Sequence, residues 1–265
     1  MKHRLIPAGF LALAICGPMF CAGMSTARAQ VAGSDKFTTS DGPVDFVPIH
    51  HAALMLGWKG EHILVDPAPI DNNAQGAAKA ARYKALAAPD FILITHIHGD
   101  HFSVPMLEAV AGPNTVIVVP QNVHDAMPGD LQAKAKIMNN GDKTMIGAVG
   151  IEAVPAYNIS PDRLKFHSKG QGNGYVLTFA NKRIYVAGDT EETPELAHLA
   201  NIDVAFLPMN LPYTQTVEAA AKWVKDFRPR IVFPYHYSEQ DGFADTAAFE
   251  SLVGNASVVR LRKWY

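Results

Sequence analysis

The chain has 265 residues, 48% of them hydrophobic and 18% charged, and its formal net charge is −2. This composition is typical of a medium-sized globular domain and excludes a disordered chain, a collagen and a small disulfide-stabilised scaffold. The sequence has no basic excess that could follow a phosphate backbone, so we expect no nucleic-acid partner.

The first 29 residues have the pattern of a secretory signal peptide. Basic residues at positions 2–4 precede an uncharged run over 5–27, and Ala-Arg-Ala at 27–29 provides a cleavage site of small residues. An uncleaved membrane anchor is the alternative, but prolines and glycines interrupt the run. We therefore predict an exported protein, periplasmic or secreted, that keeps no membrane attachment after cleavage before Gln30.

Cleavage would leave an acidic chain without cysteine. The signal segment contains three basic residues and no acidic one, so residues 30–265 carry 20 basic and 25 acidic side chains, a formal charge of −5. Both cysteines, Cys16 and Cys21, also lie in this segment. The remaining chain therefore has no disulfide and no cysteine that could act as a nucleophile or a metal ligand.

Apolar strand-like runs then alternate with helical patterns. Residues 30–43 are polar and small and predict a flexible leader, which precedes a domain over 44–265. The first half predicts a hairpin of 52–58 and 62–65, a helix over 74–86, a strand over 91–95, a helix over 104–110 and a strand over 115–119. The second half predicts a hairpin of 175–179 and 183–186, a helix near Glu195, a strand over 204–207, a helix over 217–227 and a strand over 231–233. The alternation favours an α/β fold of two similar halves, with helices covering buried strands.

The segment after the predicted strand over 91–95 concentrates side chains that bind metals. His96 and His98 alternate at a strand end, so both imidazoles can point the same way. Gly99 permits a turn that brings Asp100 and His101 to a second position. Imidazole and carboxylate ligands suit zinc, and the lack of cysteine favours a catalytic site over a closed structural site.

This His-x-His-x-Asp-His segment resembles the signature of the metallo-β-lactamase superfamily. Further motifs follow in the superfamily's order: Asp66 in Ile-Leu-Val-Asp-Pro, Asp189 in Ala-Gly-Asp-Thr and His236 in Phe-Pro-Tyr-His-Tyr. Each motif follows an apolar run, and functional residues commonly stand at the carboxyl ends of such strands. The resemblance implies a four-layer αββα sandwich for nearly all of residues 44–265.

The resemblance also implies a centre of two metal ions per chain, with zinc expected and manganese or iron left open. In relatives, the residue at Asp189 bridges the two metals. The other ligands implied are His96, His98, Asp100, His101 and His236, the last three on the second metal. Asp66 would lie behind the metals and orient a ligand. His51 resembles a histidine that opens the first hairpin in the lactonase-like and phospholipase-D-like branch, although an ordinary hairpin histidine fits equally well.

One segment departs from the superfamily pattern. A third histidine usually reaches the first metal from the stretch between the cluster and the bridging aspartate, but Asn158, a poor zinc ligand, stands there. His167 is the nearest replacement, and a surface histidine on a glycine-rich loop is the alternative. Asn158 and Tyr213 follow strand ends near the expected site, where they could bind substrate or serve in packing.

These features together predict a metal-dependent hydrolase. Two metals would share a water molecule whose pKa falls toward 7, and Asp100 would orient the resulting hydroxide toward the scissile bond. The expected substrate is a small-molecule ester, lactone, lactam or phosphoester. The alternatives are a mononuclear iron redox enzyme of the same fold and a non-catalytic metal-binding protein, the latter because of Asn158. A homodimer is left open.

Overall fold

The computed structural model describes residues 35–69 and 82–265, together with Met1. The predicted signal peptide and most of the predicted helix over 74–86 lie outside these residues, although 82–84 are helical. Among the described residues, no helix has the length and hydrophobicity needed to span a membrane.

Two seven-stranded sheets form the framework. The first sheet contains, in both chain and spatial order, β1 (Asp35–Thr39), β2 (Gly42–His50), β3 (Ala53–Trp58), β4 (Glu61–Val65), β5 (Phe91–Leu93), β6 (Val116–Val119) and β7 (Ala135–Ile137). Strands β1 to β4 form an antiparallel meander. Strands β4 to β7 are parallel.

The second sheet repeats this plan. Its strands, in chain order, are β8 (Lys143–Ile146), β9 (Val149–Ala156), β10 (Gly172–Phe179), β11 (Lys182–Val186), β12 (Val204–Pro208), β13 (Ile231–Tyr235) and β16 (Val258–Val259). Between β13 and β16, the strands β14 (Ser238–Glu239) and β15 (Gly242–Phe243) form a separate small hairpin. Strands β8 to β11 are antiparallel. Strands β11, β12, β13 and β16 are parallel, so the prediction of two similar halves is confirmed.

Helices cover the outer face of each sheet. They are α1 (Val104–Val110), α2 (Gln121–Ala126) and α3 (Gly129–Gln132) on the first sheet, and α4 (Val217–Phe227) and α5 (Thr246–Val253) on the second. Met55 of β3 packs in the cluster that contains Leu107 of α1, and Ala205 of β12 packs in the cluster that contains Trp223 of α4. The predicted bounds of α1 and α4 are confirmed.

The largest apolar core lies between the two sheets, because alternate strand residues point inward. Leu54 points into this core, whereas its neighbour Met55 faces the helices. The Phe46 ring centroid lies 4.8 Å from that of Phe206 and 5.0 Å from that of Phe233. The resulting order of layers is helix, sheet, sheet and helix, so the predicted αββα sandwich is confirmed.

Several predicted elements differ from the structure. Residues 35–39 and 42–43 are not a flexible leader, because β1 pairs with β2 and Asp35 accepts hydrogen bonds from Arg260 and Arg262 at the other end of the chain. The helix expected near Glu195 is a single 3₁₀ turn, Leu196–His198. The strand expected over 91–95 ends at residue 93, where the backbone turns toward the histidine cluster.

The carboxyl ends of the parallel strands gather at one edge. Asp66 follows β4, the segment 94–101 follows β5, and Asp189 follows β11. Asn210 and His236 follow β12 and β13. This edge therefore collects every predicted motif from both halves of the chain.

Candidate metal centre

Asp66 fixes the segment that carries the histidine cluster. Its carboxylate is fully buried and accepts hydrogen bonds from the Thr95 backbone nitrogen at 2.8 Å and from the Thr95 hydroxyl at 2.7 Å. Its Oδ2 atom lies 2.8 Å from Nδ1 of His101. A proton on this Nδ1 leaves the Nε2 atom of His101 free to bind a metal, which is the orienting contact predicted for Asp66.

A first group of potential metal ligands consists of His96, His98 and His167, whose donor atoms all lie within 4.8 Å of one another. The Nε2 atom of His96 lies 3.1 Å from Nδ1 of His98. His167 is only 7% exposed, so it is not the surface histidine of the alternative interpretation. The structure thus brings His167 to the position that the third histidine was expected to occupy.

Asn158 holds His167 in this group. The backbone nitrogen of Asn158 donates to the His167 carbonyl at 2.9 Å, and its side-chain amide donates to the carbonyls of Tyr213 at 2.7 Å and Arg163 at 3.0 Å. The Tyr213 carbonyl also lies 3.2 Å from Nδ1 of His167. A hydrogen bond from Nδ1 to this carbonyl leaves Nε2 of His167 unprotonated and directed at the centre.

Of the two residues predicted to bind substrate or serve in packing, Asn158 is buried and Tyr213 is exposed. The Asn158 side chain is 1% exposed and its amide hydrogens are used within the protein, which favours the packing alternative. The Tyr213 ring is exposed and packs edge-on against Phe166, with centroids 5.1 Å apart. Tyr213 therefore stands at the rim of the site, while its backbone carbonyl orients His167.

A second group of ligands consists of His51, Asp100, His101 and His236. The Oδ2 atom of Asp100 lies 2.9 Å from Nε2 of His51, 3.4 Å from Nε2 of His236 and 3.8 Å from Nε2 of His101. The His51 and His236 ring centroids lie 3.7 Å apart, with the ring planes tilted by 46°. His51 thus belongs to this group by position.

Asp189 lies between the two groups. Its Oδ2 atom is 3.3 Å from Nε2 of His167 in the first group. Its Oδ1 atom is 3.4 Å from Nε2 of His101 and 3.4 Å from Nε2 of His236 in the second group. With 4% of its surface exposed, this carboxylate presents one oxygen to each group.

Three side chains of the centre project from left-handed backbone positions. His51, Asp66 and His236 have φ angles of 56°, 43° and 45°. Such a conformation costs a non-glycine residue about 1–3 kcal/mol, and it persists mainly where the surroundings enforce it. The fold therefore tolerates local strain to direct these three side chains into the centre.

The protonation states suit cation binding. Burial lowers the pKa of His51 to about 4 and lowers the pKa values of His96 and His98, with further lowering by neighbouring imidazoles. Burial alone would raise the pKa values of Asp100 and Asp189, but the surrounding histidines outweigh it and lower both. Neutral imidazoles and ionised carboxylates are the forms that coordinate metals.

His101 shows the opposite electrostatic effect. Burial lowers its pKa, but Asp189, Asp100 and Asp66 outweigh burial and raise the pKa to about 10. The three carboxylates thus create a strong demand for positive charge at the Nε2 atom of this imidazole. A divalent cation bound there would meet that demand and displace the proton.

The donor geometry fits a zinc-sized cation. Nε2 of His101, Nε2 of His167 and Oδ1 of Asp189 are buried and have no hydrogen-bond partner among the described residues. Two atoms bound tetrahedrally to zinc at about 2.05 Å lie about 3.3 Å apart. The separations between Asp189 and the three imidazoles that face it, 3.3 to 3.4 Å, match this value.

Three further residues support the centre and were not predicted from the sequence. The Asn210 amide nitrogen lies 3.3 Å from Nε2 of His236, and the Tyr265 hydroxyl lies 2.8 Å from Nδ1 of His51. Glu191 accepts hydrogen bonds from the backbone nitrogens of residues 159 and 160. The place of Asn210 after an apolar strand was a usable signal, whereas nothing local in the sequence marks Tyr265.

Comparison with known proteins adds the family. A protein-family model described as Beta-lactamase superfamily domain matches residues 48–236. UPF0173 metal-dependent hydrolases of Pyrococcus abyssi and Pyrococcus horikoshii are 32% and 33% identical over 219 residues, which cover 80% of this chain and 93% of each relative. A solved structure from Parabacteroides distasonis, assigned as a metal-dependent hydrolase, is 38% identical, with a TM-score of 0.76 and coverage of 88% of this chain and 99% of that one.

The match to the superfamily domain spans the first and last predicted motifs, Asp66 and His236. The relatives at about one third identity extend over four fifths of the chain. The resemblance to the metallo-β-lactamase superfamily is thereby confirmed. The chain belongs to the β-lactamase superfamily, as one of its metal-dependent hydrolases.

Proposed function

We propose that the chain is an exported hydrolase with two zinc ions, which cleaves an ester, lactone, lactam or phosphoester bond in a small molecule. One observation carries the dinuclear part: Asp189 presents Oδ2 to the first group of histidines and Oδ1 to the second. A carboxylate in this position can bridge two cations. His96, His98 and His167 would complete one site, and Asp100, His101 and His236 the other.

When bound, the two ions would lower the pKa of a water molecule toward 7 and polarise the oxygen of the scissile group. Asp100 is suited to accept a hydrogen bond from the attacking water and so orient it, because its side chain is 48% exposed. Asp100 is also held in place, with Oδ2 2.9 Å from Nε2 of His51. The carboxylate therefore has both access to solvent and a fixed orientation.

Tyr265 determines that His51 is the donor in its hydrogen bond with Asp100. Burial raises the pKa of Tyr265 to about 12, so its hydroxyl keeps its proton at neutral pH. The hydroxyl accepts a hydrogen bond from the Ser238 backbone nitrogen at 3.3 Å and can donate to Nδ1 of His51 at 2.8 Å. His51 then carries its proton on Nε2 and donates it to Asp100, so we assign His51 to orientation rather than to metal binding.

The test is a hydrolysis panel of carboxylic esters, lactones, lactams and phosphodiesters with the zinc-loaded chain. We expect turnover of at least one class and its loss in His98→Ala, with the exposed His198→Ala as the control that keeps full activity. Turnover that survives in His98→Ala would contradict the proposal. Bound iron with no hydrolysis would favour the redox alternative, and zinc with no turnover would favour a non-catalytic metal-binding protein.

Export is a proposal that rests on residues 1–29. We expect the protein to accumulate in the periplasm or in the medium with Gln30 as its first residue. N-terminal sequencing of the fractionated protein measures this directly. Full-length protein in the cytoplasmic fraction would contradict it.

A further inference from the structure

A cavity of about 150 Å³ lies beside the first group of ligands. His96, His98, His167 and Asp189 form the wall on the side of the metal centre. Ile97 and Phe166 lie along the cavity, and Asn122 and Gln171 stand on its rim. A substrate whose scissile bond reaches the centre would place a neighbouring group in this space.

The size of the cavity limits that group. An apolar cavity of about 150 Å³ accommodates a benzene molecule. The Phe166 ring is held by its edge-on contact with Tyr213, at 5.1 Å between centroids. At the floor, a Cβ on Gly172 would lie 3.1 Å from the Ala156 carbonyl oxygen and 3.4 Å from the His96 Cβ, so Gly172 packs closely against both residues. Phe166 and Gly172 therefore bound the cavity on two sides.

The charge of the lining limits the group further. Among the described residues that line the cavity there is no lysine or arginine. The nearby cations are engaged elsewhere: Arg163 pairs with Glu191 at 2.6 Å and Lys169 with Glu195 at 2.5 Å. Lys165 lies 4.9 Å from the Phe166 ring centroid without lining the cavity. A carboxylate or phosphate at the end of the cavity away from the metal-binding side chains would lose hydration without gaining a lysine or arginine partner.

Gln171 offers a polar contact at the rim of the cavity. The Asn122 side-chain nitrogen donates to Oε1 of Gln171 at 3.2 Å, and Oδ1 of Asn122 accepts from the Val123 backbone nitrogen at 2.9 Å. The side-chain nitrogen of Gln171 has no partner among the described residues. This nitrogen can donate to a neutral acceptor on the substrate.

We propose that the cavity binds an uncharged, ring-sized apolar group adjacent to the scissile bond, with Gln171 donating to an acceptor at its far end. The inference rests on the proposed function and narrows it to substrates that carry a neutral group beside the scissile bond. Recognition of this group depends on shape and on hydrogen bonding, without a lysine or arginine partner.

The first experiment compares methyl 4-carbamoylbenzoate with methyl 4-carboxybenzoate, which match in size and differ in charge. We expect kcat/KM to be about tenfold or more higher for the carbamoyl ester. Gln171→Lys should reverse or abolish this preference, whereas Lys165→Gln should leave the ratio unchanged. Equal kcat/KM values for the two esters, or a ratio that Gln171→Lys does not move, would overturn the proposal.

A binding experiment separates the cavity from the reaction. Ligand-observed NMR with the full zinc-loaded chain should show benzamide binding, which Gln171→Lys should weaken and Lys165→Gln should leave unchanged. Benzamide binding without turnover of any ester would support the cavity and contradict the proposed hydrolysis. Ester turnover with no preference for the neutral ester would overturn the cavity proposal and leave the hydrolase intact.

Discussion

Gly188 shows how little room the centre leaves to the residue before Asp189. Its φ angle is +67°, and a Cβ at this position would lie 3.0 Å from the Thr95 Cβ and 3.1 Å from the Asn173 carbonyl oxygen. Only glycine meets both the conformational and the steric requirement. The sequence Ala-Gly-Asp-Thr therefore encodes the placement of Asp189 as well as its identity.

We expect Gly188→Ala to lower the free energy of unfolding by about 2–4 kcal/mol, because backbone strain and steric overlap add. The variant should also bind less zinc, since Asp189 must move with the backbone. Gly141→Ala is the matched control, because Gly141 has a φ angle of +94° but open space around its Cβ position. Urea unfolding and zinc analysis would measure both effects. Equal destabilisation in the two variants would contradict the steric account.

Tyr265 gives a second prediction at the scale of single residues. Tyr265→Phe removes the hydroxyl that lies 2.8 Å from Nδ1 of His51, so His51 can carry its proton on either nitrogen. We expect kcat to fall about tenfold or more while zinc content stays constant. Tyr237→Phe is the control, because its hydroxyl contacts the backbone of residues 262 and 264, with the Arg262 carbonyl 3.4 Å away. Loss of zinc in Tyr265→Phe would instead identify His51 as a ligand.

At the scale of elements, the long loop between β9 and β10 is tied to the segment that follows Asp189. Glu191 accepts from the backbone nitrogens of Ile159 and Ser160 at 2.6 and 2.7 Å and pairs with Arg163 at 2.6 Å. Burial raises the pKa of Glu191, but these donors outweigh it and lower the pKa overall. One buried carboxylate thus connects the loop that carries His167 to the segment that carries Asp189.

We expect Glu191→Gln to weaken zinc binding at the first group by about 10–100-fold, because His167 loses its fixed position. Zinc affinity at the second group should change less, since His101 and His236 lie outside this loop. Glu192→Gln is the control, because Glu192 contacts Lys222, at 3.4 Å, and Asp226 of helix α4 rather than the loop that carries His167. Competition titration with a zinc chelator resolves the two affinities. An equal loss at both groups would contradict the positioning role.

The same loop shows where prediction from the sequence ends. Helix α4 and the segment from His96 to His101 were predictable, because amphipathic periodicity and short ligand spacing are local signals. His167 was harder to identify, because its approach to the centre depends on the carbonyl of Tyr213, 46 residues away. Strand β1 was missed for a related reason: Asp35 is paired by Arg260 and Arg262, more than 220 residues further along.

At the scale of the whole molecule, the centre joins the two halves of the fold. Asp66 and the segment 96–101 come from the first sheet, whereas His167, Asp189 and His236 come from the second. Any cation held by both sets of side chains would therefore crosslink the sheets. Metal binding should contribute to stability as well as to chemistry.

Removal of metal should accordingly destabilise the whole domain. Zinc at about 1,000 times its Kd adds about 4 kcal/mol to the free energy of unfolding, so a strong chelator should lower the Tm by several degrees. Asp189→Asn should start from a lower Tm and respond weakly to the chelator. His198→Ala should behave like the natural protein. A Tm that the chelator leaves unchanged in the natural protein would contradict a crosslinking role.

The central claim is that Asp189 joins two cation sites, and counting metal ions tests it most directly. Plasma mass spectrometry on residues 30–265, purified without added metal or chelator, should give two zinc ions per chain. His167→Ala should retain one, and Asp189→Asn fewer than one. A single ion in the natural protein, or two ions that survive in His167→Ala, would contradict the account.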